Sequence, residues 1–600
     1  MDAKRCRVEF EPSGIRAECA AGDLLAEVAR CAGVGLAGSC GGVGVCGQCR
    51  VRIAAGVVSP PGDTECERLG AGQLAQGYRL ACLARVLGDL TVDVPPESRL
   101  AAHRLQIEGI EVPVHLDPAV VERLVELPPP SLADLRSDQA RLADHLAREH
   151  GLPVAAADLA VLRELSPLLR QHGWRARVAV RGSEIVAVHP PDRTGLGLAV
   201  DVGTTKVAAY LVDLESGPTL AGDGIMNPQI AWGEDVMSRI ACAMRGQGKA
   251  LQAALIDGLN GLIAGLCPEP DRIVEAVMVG NTAMHHLALG LPVRQLGLAP
   301  YVPAVSGALD VKARDLGLRI APGASVHLLP NVAGFVGADH VAMVLASGID
   351  DTERTVIGLD IGTNTEVVLA HRGRLTSCST ASGPAFEGAH IRHGMRALSG
   401  AIERVRLVDG QVEVGTVDGA PPVGLCGSGV LDAVGELCRA GLVDRRGRLR
   451  PGPAVRVADG GPEFLLVSGA ASAHGRDITL SQQDIGQIQL AKGAILAGME
   501  LLLERAGLAA ADLDEVVIGG AFGTRLRVSS AVAIGLLPPL PEERFRQVGN
   551  AAGAGARLAL VSRVQRARAE EVARRIQYVE LLTQPDFGSR FARQMYFPVC

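Results

Sequence analysis

A chain of 600 residues is too long for one hydrophobic core and predicts several domains. Hydrophobic residues at 48% and charged residues at 21% describe a folded, globular polypeptide. The formal net charge of −7 leaves no basic footprint for nucleic acid, and no stretch supplies the roughly 18 uninterrupted apolar residues of a membrane-spanning helix.

The N-terminus, MDAKRCRVEF, lacks the apolar run of a signal peptide. The chain is therefore expected in the cytoplasm, where its 14 cysteines stay reduced and disulfides do not explain them. Residues 1–95 predict a small β-rich domain. It opens with the strands CRVEF and GIRAEC, followed by the amphipathic helix DLLAEVARCAG with Asp23 as its N-cap. A cysteine-rich loop leads to the strand CRVRIAAG, and YRLACLARVLGDLTVDVPP predicts two strands about a Gly-Asp turn. Residues 96–115 form an extended linker. Residues 116–193 predict a small middle domain of helices, PAVVERLVEL among them, closed by the hairpin RARVAVRGSEIVAVHP. From 194 to 600, apolar strands alternate with Gly-rich turns and helices, the α/β pattern.

The loop SCGGVGVCGQC and a later cysteine give Cys40, Cys46, Cys49 and Cys82 the spacing C-x5-C-x2-C-x32-C. Thiolates are soft ligands that suit iron–sulfur clusters and zinc. Structural zinc usually takes two separated pairs, whereas three ligands in one loop with a distant fourth is the topology of a 2Fe–2S ferredoxin. Glycines at 41, 42, 44 and 47 let such a loop turn its backbone N–H groups toward sulfur. Zinc and simply buried thiols are the alternatives. The first spacing of five resembles the adrenodoxin-like branch of the ferredoxin fold. The other early cysteines, Cys6, Cys19, Cys31 and Cys66, have no ligand spacing and read as small buried apolar residues.

The large C-terminal region carries an internal echo. LAVDVGTTKVAAYLVD and IGLDIGTNTEVVLAHR align Asp201 with Asp360, Gly203 with Gly362 and Thr204 with Thr363. An apolar strand ending in Asp-x-Gly-Thr and returning as a strand makes a tight hairpin. Its N–H groups and hydroxyls suit phosphate, and its Asp suits Mg²⁺. Thr205, Lys206 and Asn364 complete the two tips, and VVIGGAFG adds a glycine turn at Gly519, Gly520 and Gly523 suited to a base and ribose. Two such units predict a duplicated domain with a cleft between its halves. These motifs resemble the actin, sugar-kinase and chaperone (ASKHA) superfamily, which implies ATP bound by those residues and a multidomain fold. That fold comprises a β-grasp ferredoxin-like α+β domain, a small middle domain and a duplicated actin-like α/β ATPase.

A ferredoxin domain preceding this ATPase fold resembles the reductive activators of corrinoid proteins. NPQIAWGEDVMSRI, VGNTAMHHLALG, LPNVAGFVGADH, SGPAFEGAHIRHGMRA and DIGQIQLAKGAI carry the same resemblance. It implies a 2Fe–2S cluster on the four cysteines, ATP and Mg²⁺ with Asp201 and Asp360 organising the metal and the attacking water, and one-electron reduction of cob(II)alamin to cob(I)alamin. The implied partners are a corrinoid protein of a methyltransferase system, an upstream electron donor and a second copy of the chain. The alternatives are an activator of another low-potential enzyme, or a small-molecule kinase with a redox-sensing ferredoxin domain. His285 and His286 are adjacent, and His390 and His393 are three apart, a spacing that could pair on a helix face, but no third ligand is spaced to join them. Cys426 and Cys438 read as packing. Lys492 reads equally as a phosphate contact or as a cap on a helix face.

Overall fold

The computed structural model describes residues 5–598 apart from 12–13, 33, 35, 37–43, 45–46, 48, 96–97, 99–112, 459, 521–522 and 524. Cys40, Cys46, Gly41, Gly42 and nearly all of the expected linker lie outside the described residues. The chain divides into two units, Met1–Arg104 with Met226–Ala254, and Leu105–Ile225 with Leu255–Cys600.

In the first unit a mixed five-stranded sheet runs in the order Ile15–Ala20, Arg5–Glu11, Val86–Asp93, Arg50–Val58, Tyr78–Leu80. Only the pairing of Arg5–Glu11 with Val86–Asp93 is parallel. Cys6, Val8 and Phe10 alternate inward along the first strand and join Leu25, Val51, Leu80 and Val92 in one core, as a period of two dictates. This is the expected β-grasp arrangement. Three local readings change. The helix spans Leu25–Cys31, and the Asp23 carboxylate accepts from Ala20 N at 2.8 Å, closing the preceding turn instead of capping the helix. Gly88 and Asp89 lie inside the strand Val86–Asp93, because the chain reverses at 81–85, around Cys82. A helix at Asp63–Ala75, with a break at Gly70, was not foreseen, and it leaves Cys66 exposed. Cys6 is buried as expected and Cys19 half-buried.

In the second unit a four-stranded sheet, ordered Val120–Glu126, Arg175–Arg181, Glu184–His189, Ala156–Ala157, packs beside the helices Asp138–His150 and Leu159–Gln171. Ser137 and Asp158 cap these helices by accepting from Ala140 N and Ala160 N. The stretch PAVVERLVEL is thus a strand and not a helix. Its β-branched Val120, Val121 and Val125 pair residue for residue with the foreseen hairpin, and that pairing outweighs a weak helical period.

Two six-stranded sheets follow the same plan. In the first, Leu196–Val202 returns antiparallel as Lys206–Asp213 and pairs in parallel with Ile273–Gly280. In the second, Val356–Ile361 returns as Thr365–His371 and pairs in parallel with Glu515–Gly519. Burial on both faces explains why each central strand is almost wholly apolar. Asp201 and Asp360, the polar exceptions, stand at the carboxyl ends of these strands, where open α/β sheets place their clefts.

Candidate functional sites: a buried thiol pair and a carboxylate-floored cleft

In the first unit, Cys49 and Cys82 are buried free thiols with sulfurs 3.2 Å apart. Cys49 precedes the strand Arg50–Val58, and Ala81 N donates to Cys49 O at 2.9 Å, so strand pairing brings the distant cysteine to the loop. The hydrogen bond with Cys82 holds the Cys49 thiol down at about 7. Gly44 has φ +81°, and a Cβ there would meet Leu83 Cδ1 at 2.5 Å, so this position favours glycine. Two adjacent, buried thiols with no disulfide between them suit soft-metal ligation and fit a cluster held by four thiolates.

In the second unit, both hairpin tips open onto one cavity of ≈ 230 Å³. Asp201, Gly203, Thr204, Thr205 and Lys206 line it from the first hairpin, and Asp360, Gly362, Thr363 and Asn364 from the second. Thr205 Oγ1 and Thr363 Oγ1 stand 3.5 Å apart, so the two tips meet. Of Gly519, Gly520 and Gly523 in the third glycine motif, Gly520 lines the cavity. It has φ +86°, and a Cβ there would lie 2.4 Å from Ile361 O. Gly519 pairs with Asp360 in the ladder, and Gly523 N donates to Gly520 O, so these two shape the turn that carries Gly520.

Several lining residues escaped the sequence reading. Asn281 Nδ2 donates to Thr204 Oγ1 at 2.8 Å, and Asn550 Nδ2 donates to Asp201 Oδ2 at 3.0 Å. Each asparagine also caps the helix that follows it. Their signal was present as a second echo, strand–Val–Gly–Asn–helix, in VMVGNTAM and RQVGNAAG. Asp339 and Glu366 join Asp201 and Asp360 on the cavity wall, and Glu366 stands opposite Asp360 in the strand register. Opposite charge is supplied by Lys206, Arg396 and Arg525, and the N-terminus of helix Gly427–Arg439 contributes Cys426, Gly427 and Ser428.

Crowding four carboxyls in a desolvated cleft raises their pKa values. Burial pushes Asp201 up to about 6, against the Asn550 hydrogen bond. Burial and then the Asp201 charge push Asp360 up to about 7. Burial, with Asp360 and Asp201 adding to it, pushes Asp339 up to about 8. Glu366 rises well above the carboxylate range from burial and its neighbours Asp339 and Asp360. Such a cluster is primed for a divalent cation, which would release these protons. Among the described residues no three of these groups converge at ligand distance, so Mg²⁺ would take its remaining ligands from phosphate and water, as this ion commonly does. Lys206 is lowered by burial, with Glu387 opposing and Arg396 and Arg525 reinforcing the shift.

The remaining candidates lie elsewhere. His286 uses both ring nitrogens, with Thr282 O at 2.7 Å and Ala304 N at 2.9 Å, and burial pushes its neighbour His285 down to about 3. His390 has φ +61° and sits with His393 in a turn, so they form no helical pair. The buried Lys492 donates to Gln594 O and Tyr596 O, both at 2.7 Å, and anchors the C-terminal segment instead of a phosphate. Cys438 is buried in the core. No helix among the described residues is long and apolar enough to cross a membrane.

Comparison with known proteins follows the same division. Residues 8–87 match the 2Fe-2S iron-sulfur cluster binding domain, 110–195 the RACo linker region, 196–352 the RACo middle region and 354–600 the C-terminal ASKHA domain of RACo. The chain is 35% identical over 460 residues to the corrinoid activation enzyme RamQ of Eubacterium limosum, covering 73% of this chain and 77% of the relative. It is 24% identical over 435 residues to a Co(II) methylated amine-specific corrinoid protein reductase of Methanosarcina barkeri, covering 67% and 77%. A solved reductive activator for corrinoid, iron-sulfur protein superposes with TM-score 0.75 at 35% identity, over 99% of this chain and 98% of that one.

Proposed function

We infer the function from one premise: the chain belongs to the family of corrinoid activation enzymes, built from a 2Fe–2S domain, linker and middle regions and an ASKHA domain. It catalyses ATP-dependent, one-electron reduction of cob(II)alamin to cob(I)alamin in a corrinoid protein of a methyltransferase system. The observation that carries this reading is the presence, in one chain, of the buried Cys49–Cys82 thiol pair and the carboxylate-floored cleft between paired Asp-x-Gly-Thr hairpins.

Cys40, Cys46, Cys49 and Cys82 would hold the cluster, which accepts and passes on single electrons when bound. The pairing of Ala81 N with Cys49 O fixes two of these four donors relative to each other. In the cleft, the tips at Gly203–Lys206 and Gly362–Asn364 bind the phosphates, Gly519, Gly520 and Gly523 shape the nucleoside end, and Asp201 and Asp360 organise Mg²⁺ and the attacking water. Asn550 keeps Asp201 oriented, and Asn281 does the same for Thr204.

Cob(I)alamin is a strong reductant, so its formation is uphill from an ordinary donor. Each ~59 mV uphill costs about tenfold in equilibrium constant for one electron. A nucleotide that binds one state of the complex preferentially shifts that balance, and coupling of about 1–3 kcal/mol is typical. The resemblance extends the proposal to an upstream electron donor, a homodimer and a cytoplasmic setting, where the thiols stay reduced. The decisive experiment mixes the reduced protein with a Co(II) corrinoid protein, with and without MgATP, and follows Co(I) by absorbance. ATP-dependent appearance of Co(I) is expected. Transfer of phosphate from ATP to a metabolite, with no Co(I), would replace this reading with that of a kinase.

A further inference from the structure

The segment SGPAFEG, residues 382–388, has a built relation to the cleft that phosphate binding alone does not explain. Gly383 N donates to Thr363 O at 2.9 Å, and the buried Ser382 Oγ lies 3.2 Å from Gly362 O and 2.9 Å from Thr365 Oγ1. Gly362 and Thr363 of the second hairpin tip and Thr365 of its return strand are thus stitched to this segment. The short turn Pro384–Glu387 then sinks Ala385 and Phe386 into the core. Gly388 ends the turn at φ +82°, where a Cβ would meet Met395 O at 2.4 Å. The backbone of Glu387 is therefore held from both sides, the preorganisation a reacting group needs.

The Glu387 side chain lines the cleft, and Thr363 Oγ1 donates to Glu387 Oε1 at 2.8 Å. A carboxylate has about four lone-pair sites, and this bond uses one of them. Because Thr363 spends its proton on Glu387, the 3.5 Å contact with Thr205 has Thr205 as donor. The charge of Glu387 also acts on Lys206 of the first hairpin. Glu387 thus stands where the tips of both hairpins meet, and a terminal phosphoryl group gripped by both tips would lie beside it. The floor carboxylates, in contrast, would commit lone pairs to Mg²⁺.

We propose that Glu387 is a catalytic residue, the general base that takes the proton of the water attacking the terminal phosphoryl group of ATP. The inference rests on the nucleotide reading above. The water oxygen forms a bond to the γ-phosphorus as the bond from phosphorus to the β–γ bridging oxygen breaks, and ADP leaves with that electron pair. One water proton passes to a free lone pair of Glu387 and from there to solvent, so ATP and water become ADP and phosphate.

The test uses the full cluster-loaded chain with two probes, MgATP turnover followed by phosphate release and binding of the non-hydrolysable analogue AMP-PNP with Mg²⁺ by calorimetry. Removing a general base lowers turnover by roughly 100-fold or more, so Glu387→Gln is expected to lose at least that in kcat while AMP-PNP affinity stays within about threefold. Glutamine still accepts the Thr363 hydroxyl, so a merely structural role would leave kcat nearly unchanged, and that result overturns the proposal. Parallel loss of AMP-PNP affinity overturns it too, by assigning Glu387 to binding. Glu387→Asp, which keeps a carboxylate, should retain part of the turnover. If the unaltered chain neither binds AMP-PNP nor releases phosphate, the nucleotide reading fails and this inference falls with it. Normal turnover in the unaltered chain and in Glu387→Gln sinks the inference alone.

Discussion

Asn550 donates from Nδ2 to Asp201 Oδ2 at 3.0 Å, and its Oδ1 accepts from Gly553 N at 2.8 Å, so one amide both caps a helix and steadies a cleft carboxylate. These roles separate by substitution. Asn550→Ala loses the cap, which costs about 1 kcal/mol of stability. It also removes the hydrogen bond that opposes the upward shift of Asp201, so Asp201 should hold its proton to higher pH. Asn550→Asp keeps an acceptor for Gly553 N but sets a second carboxylate against Asp201. Stability of the Asp variant should stay closer to the parent in chemical denaturation, while its MgATP affinity by calorimetry should depend more steeply on Mg²⁺ concentration. Equal MgATP binding by all three proteins would dismiss the assigned role of Asp201.

On the proposed nucleotide reading, the raised carboxyls should make nucleotide binding depend on pH. Asp201, Asp360 and Asp339 lie at about 6, 7 and 8 in the folded protein, whereas an unfolded Asp titrates near 4. The folded state therefore binds more protons than the unfolded state between these values. The associated stability is fully present below about pH 4 and is lost as pH rises through the folded values. The free protein should lose thermal stability between pH 5 and 8, and MgATP should restore it. Because Mg²⁺ favours the ionised carboxylates, binding should release protons near pH 7 and tighten toward pH 8. Calorimetry in two buffers of different ionisation enthalpy reads that release directly, and proton uptake on binding would contradict the assignment.

The proposed electron-carrying and nucleotide-binding roles fall on separate residues, so they should fail separately. Cys82→Ser removes one of two buried sulfurs 3.2 Å apart, and a serine hydroxyl does not replace a soft thiolate. The variant should lose its visible absorbance and ATP-dependent formation of Co(I) while binding AMP-PNP like the parent. Normal Co(II) reduction by this variant would remove Cys82 from the electron path.

The two cleft hairpins were legible because Asp-x-Gly-Thr recurs after an apolar strand, and a duplicated backbone device leaves a duplicated sequence. Asn281 and Asn550 were equally legible in principle, since Val-Gly-Asn recurs at the end of Ile273–Gly280, which pairs in parallel with Leu196–Val202, and at the end of Phe545–Gly549, which pairs in parallel with Glu515–Gly519. Glu366 was not, because its position opposite Asp360 depends on strand register, which no local pattern states. Glu387 joins the site only through the bonds of its segment to residues 362–365, a tertiary fact. The same limit explains Val120–Glu126, where pairing with the hairpin overrode a helical period. It also explains the misplaced turn at Gly88, where Gly-Asp suggested a reversal that the ladder with Arg50–Val58 absorbs as irregular register.

One buried ion pair should decide the stability of the cluster domain. Arg79 donates from Nε and Nη2 to Glu65 at 3.0 and 2.7 Å, and Leu80 N donates to Glu65 Oε1 at 2.9 Å. Glu65 is 1% exposed and Arg79 6% exposed, so water cannot replace either partner. The pair ties the helix Asp63–Ala75 to the strand Tyr78–Leu80, two residues before Cys82. Glu65→Ala leaves a buried guanidinium without its counter-charge, with Nη1 still on Ser59 O but Nε, Nη2 and the Leu80 N–H without their acceptor, and breaking such a pair costs about 3–5 kcal/mol. Arg16 and Glu9 form a control, with the Arg16 side chain 67% exposed. Removing that pair should cost no more than about 1 kcal/mol because solvent screens it. The readout is the temperature at which the visible absorbance of the cluster is lost. Glu65→Ala should lower it steeply and Glu9→Ala barely, while AMP-PNP binding stays at the parent level in both. Similar losses in the two variants would mean that burial of the Glu65–Arg79 pair does not hold the Cys82 turn in place.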